Sequence, residues 1–168
     1  TVIISTPHDT HTEIVIDSLK KGKNVFVEKP LATNIKQVKV FSEFINFLNQ
    51  NNKTIPILTI GFNRRFSSII KKVKAYLADT EPKNIIYTVN AGTLDSANNW
   101  IGDIDKSGNR IIGEICHFLD LVKYIIGSEI DHYKITSSDY KDKSDDLNNS
   151  FVITIKFLNN SIATINYL

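Results

Sequence analysis

Cysteine is nearly absent from this sequence: Cys116 is the single one among 168 residues, so no internal disulfide can form. The lack of disulfides favours a reducing compartment, and we expect the cytoplasm. No apolar run is long enough to cross a bilayer, and no signal-peptide pattern opens the chain. The formal net charge is only +2, which gives no electrostatic reason to expect a nucleic acid or an anionic membrane as a partner.

Methionine is missing altogether, and the chain begins inside the apolar run Thr1-Val2-Ile3-Ile4-Ser5. It also ends on a strand-like run, residues 163–168. Both ends look cut, and we expect the sequence to be a piece of a longer protein. The remaining composition, 42% hydrophobic and 23% charged, is typical of a globular domain.

The first third of the chain alternates strands and helices. Val2-Ile3-Ile4 and Val25-Phe26-Val27 are typical of buried strands, and the Thr10–Glu13 spacing predicts a capping box that opens a helix between them. A second helix over 35–49 and a third strand over 55–60 follow. Strand, helix and strand joined by short loops predict the βαβ units of a parallel sheet.

The rest of the chain has a different pattern, with one helix over 67–79, another over 111–126, and mostly strands. These strands are predicted at 84–91, 131–140, 150–158 and 161–167, and the last two fit a hairpin turned at Asn159-Asn160. The predicted fold is therefore α/β followed by α+β. We expect one domain over 1–62 and a second, truncated at its C-terminus, over 63–168.

The second strand stops abruptly at Glu28-Lys29-Pro30, because proline has no N–H for the sheet ladder. Ligands of open α/β sheets bind at this carboxyl edge. An amine there can polarise a substrate oxygen, which makes Lys29 a candidate catalytic group. The alternative is a solvated Glu-Lys pair at a strand end.

Arg64 and Arg65 follow the third strand and suit a phosphate, a carboxylate or sugar hydroxyls, although both can equally be solvated.

Trp100 lies in the long polar stretch 92–109. Its ring can stack on a sugar face or anchor the loop.

Glu114, His117 and Asp120 are spaced three apart and share one side of a predicted helix. A histidine flanked by acids is an acid–base candidate, and a hydrogen-bonded structural histidine is the alternative. We expect no metal site, because Cys116 is adjacent to His117 and cannot share its helix face, and no outlying ligand cluster exists.

Taken together, these residues resemble the Gfo/Idh/MocA oxidoreductases, the glucose-fructose oxidoreductase and inositol dehydrogenase family. The resemblance covers nearly the whole chain and is carried by four motifs in the family's order: Ser5-Thr6-Pro7-His8 with His11, Gly22 to Ala32 around Glu28-Lys29-Pro30, Gly61-Phe62-Asn63-Arg64-Arg65-Phe66, and Gly113 to Asp120 around His117. It implies the C-terminal part of a Rossmann parallel sheet followed by a mostly antiparallel open sheet.

The resemblance also implies roles for these residues. Thr6, Pro7, His8 and His11, together with Glu28, Lys29 and Pro30, would bind NAD or NADP. His117 would take the proton of a sugar, inositol or nucleotide-sugar hydroxyl as hydride leaves its carbon, with Glu114 assisting. Lys29 would stabilise the developing charge on oxygen. Arg64, Arg65, Trp100 and Asp120 are the predicted substrate-binding residues, and we expect a homo-oligomer formed through the C-terminal sheet.

Two departures from the family pattern leave other functions open. Many relatives carry aspartate four residues before the histidine, where this chain has Gly113, and Glu114 can substitute for it. No Gly-x-Gly-x-x-Gly occurs, so the pyrophosphate-binding turn is not in this chain. The alternatives are a hydrolase of the same fold that uses NAD transiently to cleave a glycoside, and a non-catalytic remnant that dimerises.

Overall fold

The computed structural model describes residues 1–51, 54–77, 81–91, 111–137 and 150–168. The chain forms two compact units. The first is Thr1–Phe62 with Ala97–Gly113, and the second is Asn63–Ser96 with Glu114–Leu168. Trp100, the stretch 92–109 and the predicted end of the strand over 131–140 lie outside the described residues.

The first unit is built on a parallel three-stranded sheet. Its elements are β1 (Val2–Ile4), a 3-10 turn (His8–Thr10), α1 (His11–Lys20), β2 (Val25–Val27), α2 (Ile35–Gln50) and β3 (Leu58–Ile60). The strands lie in the order β1-β2-β3, and both ladders are parallel, as the βαβ pattern predicts. The third strand is shorter than predicted, since it begins only after Pro56, which cannot donate to a ladder.

Alternation along the strands places the core of this unit on one face of the sheet. Ile4, Val25 and Val27 are buried together with Val15 and Leu19 of α1. The intervening side chains Ile3 and Phe26, which are neighbours in register, are exposed. Successive strand residues point to opposite faces, so one apolar face packs on the helices.

The two helices of this unit begin differently. The prediction of a capping box at Thr10 is wrong. Thr10 has a helical backbone, and its side chain makes no capping hydrogen bond to α1. Its hydroxyl instead donates to the carbonyl of Pro7 at 2.7 Å. Asn34 does cap α2, since its side-chain oxygen accepts from the backbone N–H of Gln37 at 3.0 Å.

The second unit is built on a four-stranded mixed sheet. Its elements are a 3-10 turn (Asn63–Phe66), α3 (Ser68–Tyr76), β4 (Asn84–Val89), a π-helical turn (Ile111–Ile115), α4 (Cys116–Ile126), β5 (Ile130–Ser137), β6 (Phe151–Phe157) and β7 (Ile162–Tyr167). The strand order is β4-β7-β6-β5, with β4 and β7 parallel and the other two ladders antiparallel. The predicted change from a parallel to a mostly antiparallel sheet is confirmed.

One face of this sheet is buried and the other is open in the part of the chain that the structure describes. Ile153 and Ile165 are fully buried, and Phe118 of α4 contacts the rings of Tyr87 and Tyr167. On the opposite side, Ile86, Val152 and Ile162 remain exposed. The helix α4 ends at Gly127, whose φ of 72° is the left-handed conformation that favours glycine.

Candidate active site

Two loops of the first unit meet at the carboxyl edge of its sheet, and His11 lies between them. The side chain of His11 has 0% relative exposure. Its Nε2 lies 2.8 Å from the carbonyl oxygen of Thr6, in the loop after β1. Its Nδ1 lies 2.8 Å from the carbonyl oxygen of Pro30, in the loop after β2. One ring therefore joins the two loops that carry the predicted cofactor-binding residues.

Two further side chains support the same arrangement. The hydroxyl of Thr12, also in α1, donates to the carbonyl of Leu31 at 2.7 Å. Gln37 donates to the carbonyl of Asp9 at 2.7 Å and accepts from the backbone N–H of Thr33 at 2.7 Å. Neither residue was predicted from the sequence as a site residue, because these bonds depend on contacts between loops that are distant along the chain.

The Glu28-Lys29-Pro30 segment has a defined backbone, with a cis peptide bond between Lys29 and Pro30. The Lys29 ammonium donates to the carbonyl oxygen of Gly113 at 2.7 Å. Glu28 lies against Gly61 at the end of β3, where a Cβ would stand 3.1 Å from a Glu28 carboxylate oxygen. Glycine at this position therefore leaves the room that the Glu28 carboxylate occupies.

Arg65 and Asp120 in the second unit bind each other. Arg65 Nε donates to Asp120 at 2.5 Å, and a second guanidinium N–H donates to the other carboxylate oxygen. This hydrogen bond raises the pKa of Arg65 above its ordinary value, although partial burial opposes the rise. Arg65 and Asp120 were both predicted to bind the substrate. Because each is hydrogen-bonded to the other, their contact with a substrate stays a prediction.

Glu114 also has a partner within the second unit, because its carboxylate accepts a hydrogen bond from the hydroxyl of the buried Tyr167. The predicted helix over 111–126 begins as the π-helical turn Ile111–Ile115 and becomes α-helical only at Cys116. The equal spacing of Glu114, His117 and Asp120 along an α-helix therefore does not hold at Glu114.

His117 lines a cavity of about 550 Å³ with the residues that follow β3. The other lining residues are Asn63, Arg64, Phe66 and Ser67. The guanidinium of Arg64 stands 4.7 Å from the centre of the Phe118 ring, which fixes it beside this cavity. Asn63 and Ser67 were not predicted as site residues. The sequence did offer a signal for them, because both lie in the same short segment as the two arginines, just after the end of β3.

The cavity and the two loops hold the kinds of groups that bind polar small molecules. Among the described residues, no group of three or more histidine, cysteine, aspartate or glutamate side chains could hold a metal ion. The described helices include none with the length and apolar character needed to span a membrane.

Comparison with known proteins agrees with this architecture. Residues 1–55 match the model of the "Oxidoreductase family, NAD-binding Rossmann fold", Gfo/Idh/MocA. The chain is 33% identical over 129 residues to scyllo-inositol 2-dehydrogenase (NAD(+)) of Bacillus subtilis, covering 77% of this chain and 36% of that protein. It is 31% identical over 131 residues to Myo-inositol 2-dehydrogenase of Thermotoga maritima, covering 77% and 37%.

A solved structure of a probable dehydrogenase from Thermotoga maritima superposes with a TM-score of 0.78 at 25% identity, covering 99% of this chain and 49% of that one. The chain belongs to the Gfo/Idh/MocA oxidoreductase family, as the four ordered motifs predict. It spans little more than a third of the length of the two curated relatives.

Proposed function

We propose that this chain is part of an NAD-dependent dehydrogenase that oxidises a hydroxyl group of an inositol or a related sugar by hydride transfer. The observation that carries the proposal is the 33% identity to an enzyme named scyllo-inositol 2-dehydrogenase (NAD(+)). The preference for NAD over NADP follows that name. The two residue ranges 1–62 and 63–168 are proposed as the partial nucleotide-binding domain and the substrate domain.

The residues at the carboxyl edge of the first sheet fit a nicotinamide cofactor. Thr6, Pro7 and Glu28 are exposed there, so a hydroxyl and a carboxylate are accessible to a ligand. Together with His8, Lys29 and Pro30 they are the residues that would hold it. When bound, the cofactor supplies the hydride acceptor.

In this proposal, the substrate occupies the cavity that His117 lines. His117 is the proposed acceptor of the hydroxyl proton, and the Lys29 ammonium is the proposed group that stabilises negative charge developing on a substrate oxygen. Asn63 and Ser67 supply amide and hydroxyl groups that suit further substrate hydroxyls. Glu114 acts by holding the start of α4 through Tyr167.

The test is a spectrophotometric assay of the full-length protein with NAD or NADP and a panel of myo-inositol, scyllo-inositol and glucose. We expect NADH to accumulate with at least one polyol, and the nicotinamide absorbance reports it directly. Product formed from a glycoside without net NADH would instead support the hydrolase. A full-length protein that binds neither NAD nor NADH would support the non-catalytic alternative.

The open face of the second sheet is the proposed oligomer interface, because Ile86, Val152 and Ile162 are exposed on it. Sedimentation of the full-length protein measures the oligomeric state. An Ile162→Lys variant that remains as oligomeric as the parent would contradict this assignment.

A further inference from the structure

The burial of the His11 side chain indicates what this residue does in the site. A side chain with no accessible surface does not contact a cofactor directly. Both of its nitrogens face backbone carbonyl oxygens at 2.8 Å, one in each loop. We propose that His11 is a positioning residue, which fixes the Lys29 segment relative to the Thr6 loop through the carbonyl of Pro30. This inference rests on the proposed function for its catalytic consequence.

The chemistry of the two contacts makes histidine hard to replace. Carbonyl oxygens only accept hydrogen bonds, so a ring nitrogen bonds one of them only through an N–H. Neutral imidazole carries one N–H and the doubly protonated ring carries two, and in either form the two nitrogens stand at separate corners of one rigid ring, each 2.8 Å from a carbonyl oxygen. A glutamine amide carries its N–H groups on one nitrogen and an acceptor oxygen on the other side. Glutamine therefore does not reproduce the fixed placement of both loops against one rigid ring.

The position of Pro30 ties this contact to catalysis. Pro30 is bonded directly to Lys29, and its carbonyl is the acceptor for His11. The neighbouring residue Leu31 is held in the same way by Thr12. Two consecutive carbonyls of the loop are thus fixed to α1, immediately after the residue proposed to stabilise the reacting oxygen. A displacement of about 1 Å at such a group costs on the order of 10²-fold in rate.

The first test is hydrogen–deuterium exchange on the full-length protein without substrate, which does not depend on the enzymatic activity. In His11→Gln we expect faster exchange in peptides from both loops and unchanged exchange in the strands. Thr12→Val should raise exchange only in the loop after β2, because its hydroxyl reaches only that loop. Unchanged exchange in either loop of His11→Gln would overturn the proposal.

The second test separates positioning from cofactor contact. We expect His11→Gln to lower kcat by about 10- to 100-fold and to leave the NADH dissociation constant within about twofold. Thr12→Val should show the same pattern with a smaller loss, which keeps the test valid if His11→Gln does not fold. Weaker NADH binding at unchanged kcat would overturn the proposal.

A rescue experiment completes the design. His11→Ala removes the ring and leaves two carbonyls facing the space, so added imidazole should restore part of kcat, whereas added pyridine, which has no N–H, should not. Rescue by both compounds, or by neither in a folded variant, contradicts the role of the ring as an N–H donor between the two loops. If the parent protein oxidises no polyol, the proposed function is wrong. The hydrogen–deuterium exchange of the variants still tests whether His11 positions the two loops.

Discussion

The ammonium group of Lys29 donates a hydrogen bond of 2.7 Å to the backbone carbonyl oxygen of Gly113. Gly113 lies four residues before His117 in the sequence. A main-chain acceptor therefore holds the Lys29 ammonium. Because a carbonyl is neutral, it orients the amine without neutralising its charge, which leaves that charge available to a substrate oxygen.

Lys29→Met should remove the proposed stabilisation of the substrate oxygen. We expect kcat/KM of the full-length protein to fall by about 10²- to 10³-fold, because a single donor to a developing oxyanion contributes that much. Steady-state kinetics measures the loss, and NADH titration should show that the cofactor still binds. Lys23→Met, an exposed lysine between α1 and β2, is the control and should keep full activity. A Lys29→Met enzyme as fast as the control contradicts the assignment.

His117→Asn should remove the proposed general base. Proton transfer by a positioned side chain contributes about 10²- to 10⁴-fold, and we expect kcat to fall within that range. The matched variant is His132→Asn, because His132 is exposed on β5 and, among the described residues, its partner is the adjacent Asp131. Equal activities of the two variants would remove His117 from the mechanism.

Asp120→Asn should destabilise the protein, because it leaves the Arg65 guanidinium without its charged acceptor. The Asp120 side chain is only 7% exposed and that of Arg65 36%, so we expect a loss of about 2 kcal/mol in the free energy of unfolding. Glu129→Gln breaks the Lys123–Glu129 pair, whose side chains are 42% and 71% exposed, and should cost under about 1 kcal/mol. Urea denaturation measures both variants, and equal losses would show that the Arg65–Asp120 pair contributes no more to stability than the exposed Lys123–Glu129 pair.

Gly61→Ala should act through Glu28. The added Cβ meets the Glu28 carboxylate at 3.1 Å, so that flexible group must shift, and we expect weaker NADH binding at nearly unchanged stability. The double variant tests the cause: in a Glu28→Ala background, Gly61→Ala should have no further effect on the dissociation constant. If the effects of the two substitutions on the dissociation constant are additive, Gly61→Ala does not act through the Glu28 carboxylate.

The parallel sheet was predictable because its strands carry their own signal. Val25-Phe26-Val27 is a short apolar run closed by a proline, and a helix with regular apolar spacing follows it. The order of β4 and β7 was not predictable, since their pairing joins residues distant along the chain and leaves no local pattern.

The candidate site was predictable residue by residue but not as a set of contacts. Arg65 and Asp120 were each recognised as polar groups for a substrate, yet they are 55 residues apart and bind each other. Similarly, Thr10 has the spacing of a capping box, but a preceding 3-10 turn gives its hydroxyl a nearer acceptor in Pro7. Local spacing identifies which side chains are polar, whereas tertiary contacts decide which of them remain available.

The parallel ladder between β4 and β7 has a consequence for how the protein is made. Thr88 and Asn166 are neighbours across this ladder although they are 78 residues apart. On the ribosome, β4 is synthesised well before β7, and it lacks this ladder until β7 has been made. Each strand of the first unit, by contrast, meets its partner after a single helix. Folding during synthesis should therefore form the β1–β2 and β2–β3 ladders early, and the β4–β7 ladder only after β7 has been synthesised.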